Sequence, residues 1–89
     1  MDDLPQLRND AKDFALKAID LENKENYEES IRMYNKSINT LKRILDRDTN
    51  TYNISTYKTR ISEYEDRVDY LTKLIKSETK KKMNVEGGR

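Results

Sequence analysis

Between Ile54 and Ile75 the apolar residues fall at Ile54, Tyr57, Ile61, Tyr64, Val68, Leu71 and Ile75. Steps of three and four in unbroken alternation are the signature of a helix with one buried stripe. A stripe that long needs partners, and two earlier segments carry matching ones. The chain therefore reads as all-α, an antiparallel three-helix bundle. No segment alternates with the two-residue period of a strand, and none repeats at the period of a solenoid.

Helix 1 is expected from about Leu4, where Pro5 in the first turn and Asp2 and Asp3 ahead of it form a start signal; Asp3 with Gln6 has capping-box spacing. Its stripe is Leu4, Leu7, Ala11, Phe14, Ala18 and Leu21, with Ala15 on the flank. The polar segment Glu22-Asn23-Lys24-Glu25 ends it. Asn26 and Glu29 repeat the capping-box spacing and open helix 2, residues 26–46, striped by Tyr27, Ile31, Tyr34, Ile38, Leu41 and Leu45. A link of a few residues forces helices 1 and 2 back to back as a hairpin. Core packing is the expected role of Tyr27 and Tyr34. Glu28 and Arg32, four residues apart, have the spacing of a surface ion pair.

Either Asn50 or Asn53 can cap helix 3, which is expected to run to about Ser77. Residues 1–77 form the bundle on this reading. Residues 78–89, with Lys80-Lys81-Lys82 and two terminal glycines, carry no stripe and read as a tail or the beginning of a linker. Three lysines diluted by Glu78 and Glu86 fall short of a polybasic membrane contact.

The charge balance narrows function. Charged residues make up 39% of the 89-residue chain and apolar ones 34%, leaving a thin, helical core. A formal net charge of +1, with both signs interspersed, lacks the basic face that nucleic-acid binding requires. With neither Cys nor His, the usual zinc, haem and iron–sulfur ligand sets are missing, so no cofactor is expected. Phe14-Ala15-Leu16 is the longest apolar run, too short for a signal core or a membrane span. No nucleophile–base pair or Gly-rich phosphate loop is present, so the chain is expected to be non-catalytic and to act through its surface grooves.

Three segments carry more than generic helix: residues 11–22 (AKDFALKAIDLE), 26–38 (NYEESIRMYNKSI) and 63–71 (EYEDRVDYL). In this order and at this spacing they resemble the MIT domain, the microtubule-interacting and trafficking module. The first two segments alone also resemble one tetratricopeptide hairpin. Helix 3 does not restart that pattern, however, and a solenoid needs about three copies to bury its faces. The MIT resemblance implies a monomeric, cytoplasmic peptide-binding adaptor. Such domains bring a parent protein, typically a hexameric AAA ATPase, to ESCRT-III filaments at membranes by binding C-terminal motifs of the filament subunits. The first helix is also similar to that of archaeal members tied to cell division. The other reading for such a bundle is a structural module that self-associates.

The family offers two grooves. The one between helices 2 and 3 takes an amphipathic helix, and members that use it typically read Tyr-Leu-Asp-Arg on helix 3. Here the residues are Tyr64-Glu65-Asp66-Arg67, and a carboxylate in the leucine position is costly to desolvate under an apolar ligand. The expected site is therefore the groove between helices 1 and 3, which in the family takes an extended, proline-containing peptide. Ala11, Ala15 and Ala18 leave a shallow trough. Tyr57, Ile61, Tyr64, Val68 and Leu71 flank it, and Glu22, Arg60 and Arg67 are candidates for its rim. The same alanines also serve close helix packing, the competing explanation for them.

Overall fold

A computed structural model describes residues 3–87, with side chains described through residue 78. Asp2, Gly88, Arg89 and the side chains of the lysine run lie outside the described residues. Three helices and no strand are present among those described: α1 (Leu4–Asn23), α2 (Tyr27–Leu45) and α3 (Thr51–Gly87).

The turn between α1 and α2 is built by the backbone. The Glu25 N–H donates to the Glu22 carbonyl at 2.9 Å, and the Asn26 N–H donates to the Leu21 carbonyl at 2.9 Å. Glu25 sits at φ 63°. This is a Schellman closure with glutamate where glycine usually stands. It explains why the expected Asn26–Glu29 capping box is absent: the Asn26 N–H, which Glu29 would have to accept, is already committed, and Asn26 makes no side-chain cap bond. Glu29 instead pairs with Arg32 at 3.1 Å, displacing the expected Glu28–Arg32 pair. At α1 the Asp3–Gln6 box is also absent. Gln6 instead donates along the helix surface to the Asp10 carboxylate at 2.8 Å, a charge-assisted bond that turns its amide away from the Asp3 N–H. For α3 the cap is Asn50, whose Oδ1 accepts the Asn53 N–H at 3.1 Å.

The helix α3 does not stop near Ser77. It continues through 37 residues to Gly87, about 55 Å at the rise of an α-helix. The apolar stripe ends at Ile75, but no proline or glycine interrupts the following residues, and lysine, glutamate and methionine favour helix without burial. Periodicity marks where a helix packs, not where it ends. The molecule is accordingly elongated, 59 × 20 × 19 Å.

Two apolar clusters form the core. Leu7, Ala11, Ile38, Leu41, Ile44 and Ile61 make the first; Ala18, Tyr34 and Leu71 make the second. Tyr64 and Val68 touch both, and the Tyr64 ring lies tilted against Tyr34 with centroids 5.6 Å apart. Tyr34 is buried and Tyr27 half-buried, so both tyrosines pack as expected. The stripe on α1 differs from the expected one. Ala15 is buried alongside Leu7, Ala11 and Ala18, while Phe14 sits half-buried with the Lys36 ammonium 5.6 Å from its ring centre. The alanine stripe lets α2 approach closely: Ser30 Oγ donates to the Ala18 carbonyl and Ser37 Oγ to the Ala11 carbonyl, each at 2.7 Å.

The middle helix carries the architecture. Both α1 and α3 pack against α2, yet among the described residues no Cα atom of α1 comes within 8 Å of one in α3. Consequently the α3 stripe is only partly covered. Ile61 and Leu71 are buried, whereas Ile54, Tyr57, Tyr64, Val68 and Ile75 remain half-exposed.

Candidate functional site

The gap between α1 and α3 is a groove of about 430 Å³, within the usual range for ligand pockets. Its floor is Ser37, Leu41 and Ile44 of α2. One wall is Arg8, Ala11, Lys12, Ala15, Leu16 and Ile19 of α1; the other is Thr56, Tyr57, Arg60 and Tyr64 of α3. Alanine at positions 11 and 15 keeps the α1 wall thin, while the floor residues are themselves buried.

Polar clamps tie the two walls together, one toward each end. Near the start of α1, Arg8 Nε donates to the Tyr57 hydroxyl at 2.8 Å and Arg8 Nη2 to Asp48 Oδ2 at 3.1 Å. The Tyr57 hydroxyl donates in turn to Asp48 Oδ2 at 3.4 Å, and Asp48 also accepts from the Asn50 N–H and the Asn53 amide. The Asn50 N–H first, then Arg8 and the Asn53 amide, hold the Asp48 carboxyl below its ordinary range although burial opposes them. The Tyr57 hydroxyl and then Asp48 push Arg8 further from deprotonation. Near the end of α1, Glu22 accepts from Arg67 Nε at 3.0 Å, pairs with Arg67 Nη2, and accepts the Tyr34 hydroxyl at 3.0 Å. Burial, and then the neighbouring Tyr64, raise the Tyr34 hydroxyl above the usual tyrosine range. Arg67 also lies over the ring of Tyr70, 4.7 Å from its centre.

Of the residues expected at the site, Ala11, Ala15, Tyr57, Arg60 and Tyr64 come together in the groove lining. Ala18 and Leu71 do not; both are completely covered in the second core cluster. Ile61 is buried in the first cluster and Val68 packs against both. Glu22 and Arg67 are engaged with each other as the far clamp instead of standing free at the rim.

Sequence reasoning missed Leu16 and Ile19, which are 54% and 45% exposed along the groove edge. They lie outside the α1 stripe, and that is the signal that marked them: apolar residues left over once the core is assigned. It also missed Arg8, Lys12 and Thr56. A second depression, lined by Asp10, Asp13, Phe14, Leu16, Lys17 and Asp20, belongs to α1 alone and has no opposing wall. On the other side of α3, Glu65 pairs with Lys42 of α2 at 3.7 Å.

A mainly apolar floor, an aromatic wall and three cations, of which Arg8 is held by Asp48 and Tyr57, make a surface suited to binding a chain segment. A three-helix bundle whose middle helix supports two separated outer ones over such a floor is a helical protein-interaction module. The chain belongs to the MIT (microtubule interacting and transport) domain family, whose model matches residues 9–73. This family is one of non-catalytic protein-interaction domains, and the tetratricopeptide reading gives way to it: α3 packs on α2 as the third member of one bundle. No curated protein and no solved structure matches the chain. Among the described residues no helix is long and apolar enough to cross a membrane.

Proposed function

We propose that this chain is an adaptor that grips an extended, proline-containing segment in the α1/α3 groove. The segment lies at the C-terminus of an ESCRT-III-type filament subunit, and gripping it recruits the adaptor's parent protein, an AAA ATPase, to filaments on a membrane. The observation that carries this reading is the separation of α1 and α3 over an apolar floor, with Leu16 and Ile19 exposed at its edge. An extended backbone fits such a trough and places alternate side chains on its floor. The Lys42–Glu65 pair argues against the α2/α3 face for an apolar helical ligand, because binding would strip water from both charges.

A short peptide in one groove of a small bundle binds at about micromolar strength. Weak single sites suit a filament, where many copies multiply the effect. The test is an NMR titration of the labelled chain with two peptides, one extended and rich in Pro and Leu, the other an amphipathic helix. Saturable shifts from the extended peptide along residues 11–19 and 56–64 support the reading. Saturable shifts from the helical peptide on α2 and α3 would overturn the groove assignment. No shift with either peptide, together with a mass that rises with concentration, would point to a self-associating structural module.

A further inference from the structure

The groove is charged in one sense only. Its lining holds three cations, Arg8, Lys12 and Arg60, and no carboxylate. Arg8 is committed to Asp48 and Tyr57. Lys12 on one wall and Arg60 on the other are exposed and make no hydrogen bond or ion pair among the described residues. Elsewhere on the surface several exposed bases have found acids, Lys24 with Asp20, Arg32 with Glu29, Lys42 with Glu65 and Lys73 with Asp69. Lys12 and Arg60 differ from the other lysines unpaired among the described residues in facing each other across one groove. Lys12 has no acidic residue three or four positions away on α1, and Glu63, one turn beyond Arg60, does not line the groove. The outer face of α1, with Asp10, Asp13 and Asp20 against Lys17, is net acidic.

These charges are also placed lengthwise. Lys12 stands one turn after Arg8 and Arg60 one turn after Tyr57, so both lie at the Arg8–Tyr57 clamp. The exposed apolar side chains Leu16 and Ile19 come further along α1. From Tyr57 to Arg67 the clamps stand about 15 Å apart along α3, room for four or five residues of extended chain at about 3.3 Å each.

Resting on the groove reading above, we infer that the occupant is an acidic extended segment of polar design. Asp or Glu side chains at one end meet Lys12 and Arg60, and apolar side chains at the other lie along Leu16 and Ile19. Lys12 and Arg60 are then the residues that select the ligand by charge and fix which way it runs. Complementary charge across a small interface sets register and excludes wrong partners more than it adds affinity.

The test uses the whole chain and three end-capped peptides with identical Leu and Pro residues, carrying two Glu, two Gln or two Lys at one end. The Glu peptide is expected to bind about three- to tenfold more tightly than the Gln peptide at low salt, with the gap shrinking as salt is raised. In the Lys12→Glu/Arg60→Glu variant the order of the Glu and Lys peptides reverses. Should that variant lose its helical signal, Lys12→Gln/Arg60→Gln abolishes the preference instead. Equal affinity for all three peptides, or a preference untouched by either variant, overturns the charge inference while leaving the groove reading intact. Absence of binding by any of them overturns both.

Discussion

Glu25 occupies backbone space that suits glycine, and the chain accepts this because both N–H groups of the turn are satisfied by α1 carbonyls. A side chain at positive φ costs about 1 kcal/mol or more, so Glu25→Gly is expected to stabilise the chain by about 0.5–1 kcal/mol after the added freedom of the unfolded glycine. Chemical denaturation reads it directly. Ser37 is the opposite case, a small polar residue at the centre of the helix contact whose hydroxyl reaches the Ala11 carbonyl. Ser37→Ala is expected to cost about 1 kcal/mol, and a bulkier side chain there more, because the alanine stripe leaves no slack. Asp48 ties stability to pH. Its folded carboxyl ionises below the ordinary range, so the stability it contributes is present above about pH 4 and is lost as pH falls through the folded value. Denaturation midpoints measured from pH 5 to pH 2 are expected to fall less steeply for Asp48→Asn than for the parent chain.

At the scale of elements, α3 separates two properties that are often read as one. Among the described side chains Leu74 is the last placed against a core cluster, while the helical length of α3 continues to Gly87. Deleting residues 78–89 is therefore expected to lower the helical circular dichroism signal while leaving the denaturation midpoint of the bundle within about 0.5 kcal/mol. The stripes at three- and four-residue spacing located α1 and α2 to within a residue or two, because burial and periodicity coincide there. They missed the end of α3, where the sequence has no apolar stripe but keeps helix-favouring residues. The caps were legible only in part. Asn50 bonds as its residue type predicts, whereas Asn26 has the same chemistry but its N–H is already claimed by the preceding helix.

For the whole molecule, the open side of the bundle was legible through Ala11 and Ala15, since small side chains mark a thin wall. Its clamps were not, because Arg8–Tyr57 and Glu22–Arg67 join residues 49 and 45 positions apart and no local pattern records such a pair. Nor were Leu16 and Ile19, which serve no core. Leu16→Ser is expected to weaken peptide binding about fivefold, equivalent to roughly 1 kcal/mol for a half-exposed leucine, with little change in stability. Calorimetric titration beside a melting curve separates the two effects. The separation of α1 and α3 has a further consequence. Because the backbones of these helices stay apart among the described residues and are tied by two polar clamps, a segment seated between them adds a backbone to the one side of the bundle where two helices do not approach closely. Occupancy would brace the domain as well as tether it: saturating peptide at about a hundred times its Kd would add about 2.7 kcal/mol to unfolding, and amide exchange in α1 would slow although the ligand forms no bond to its backbone.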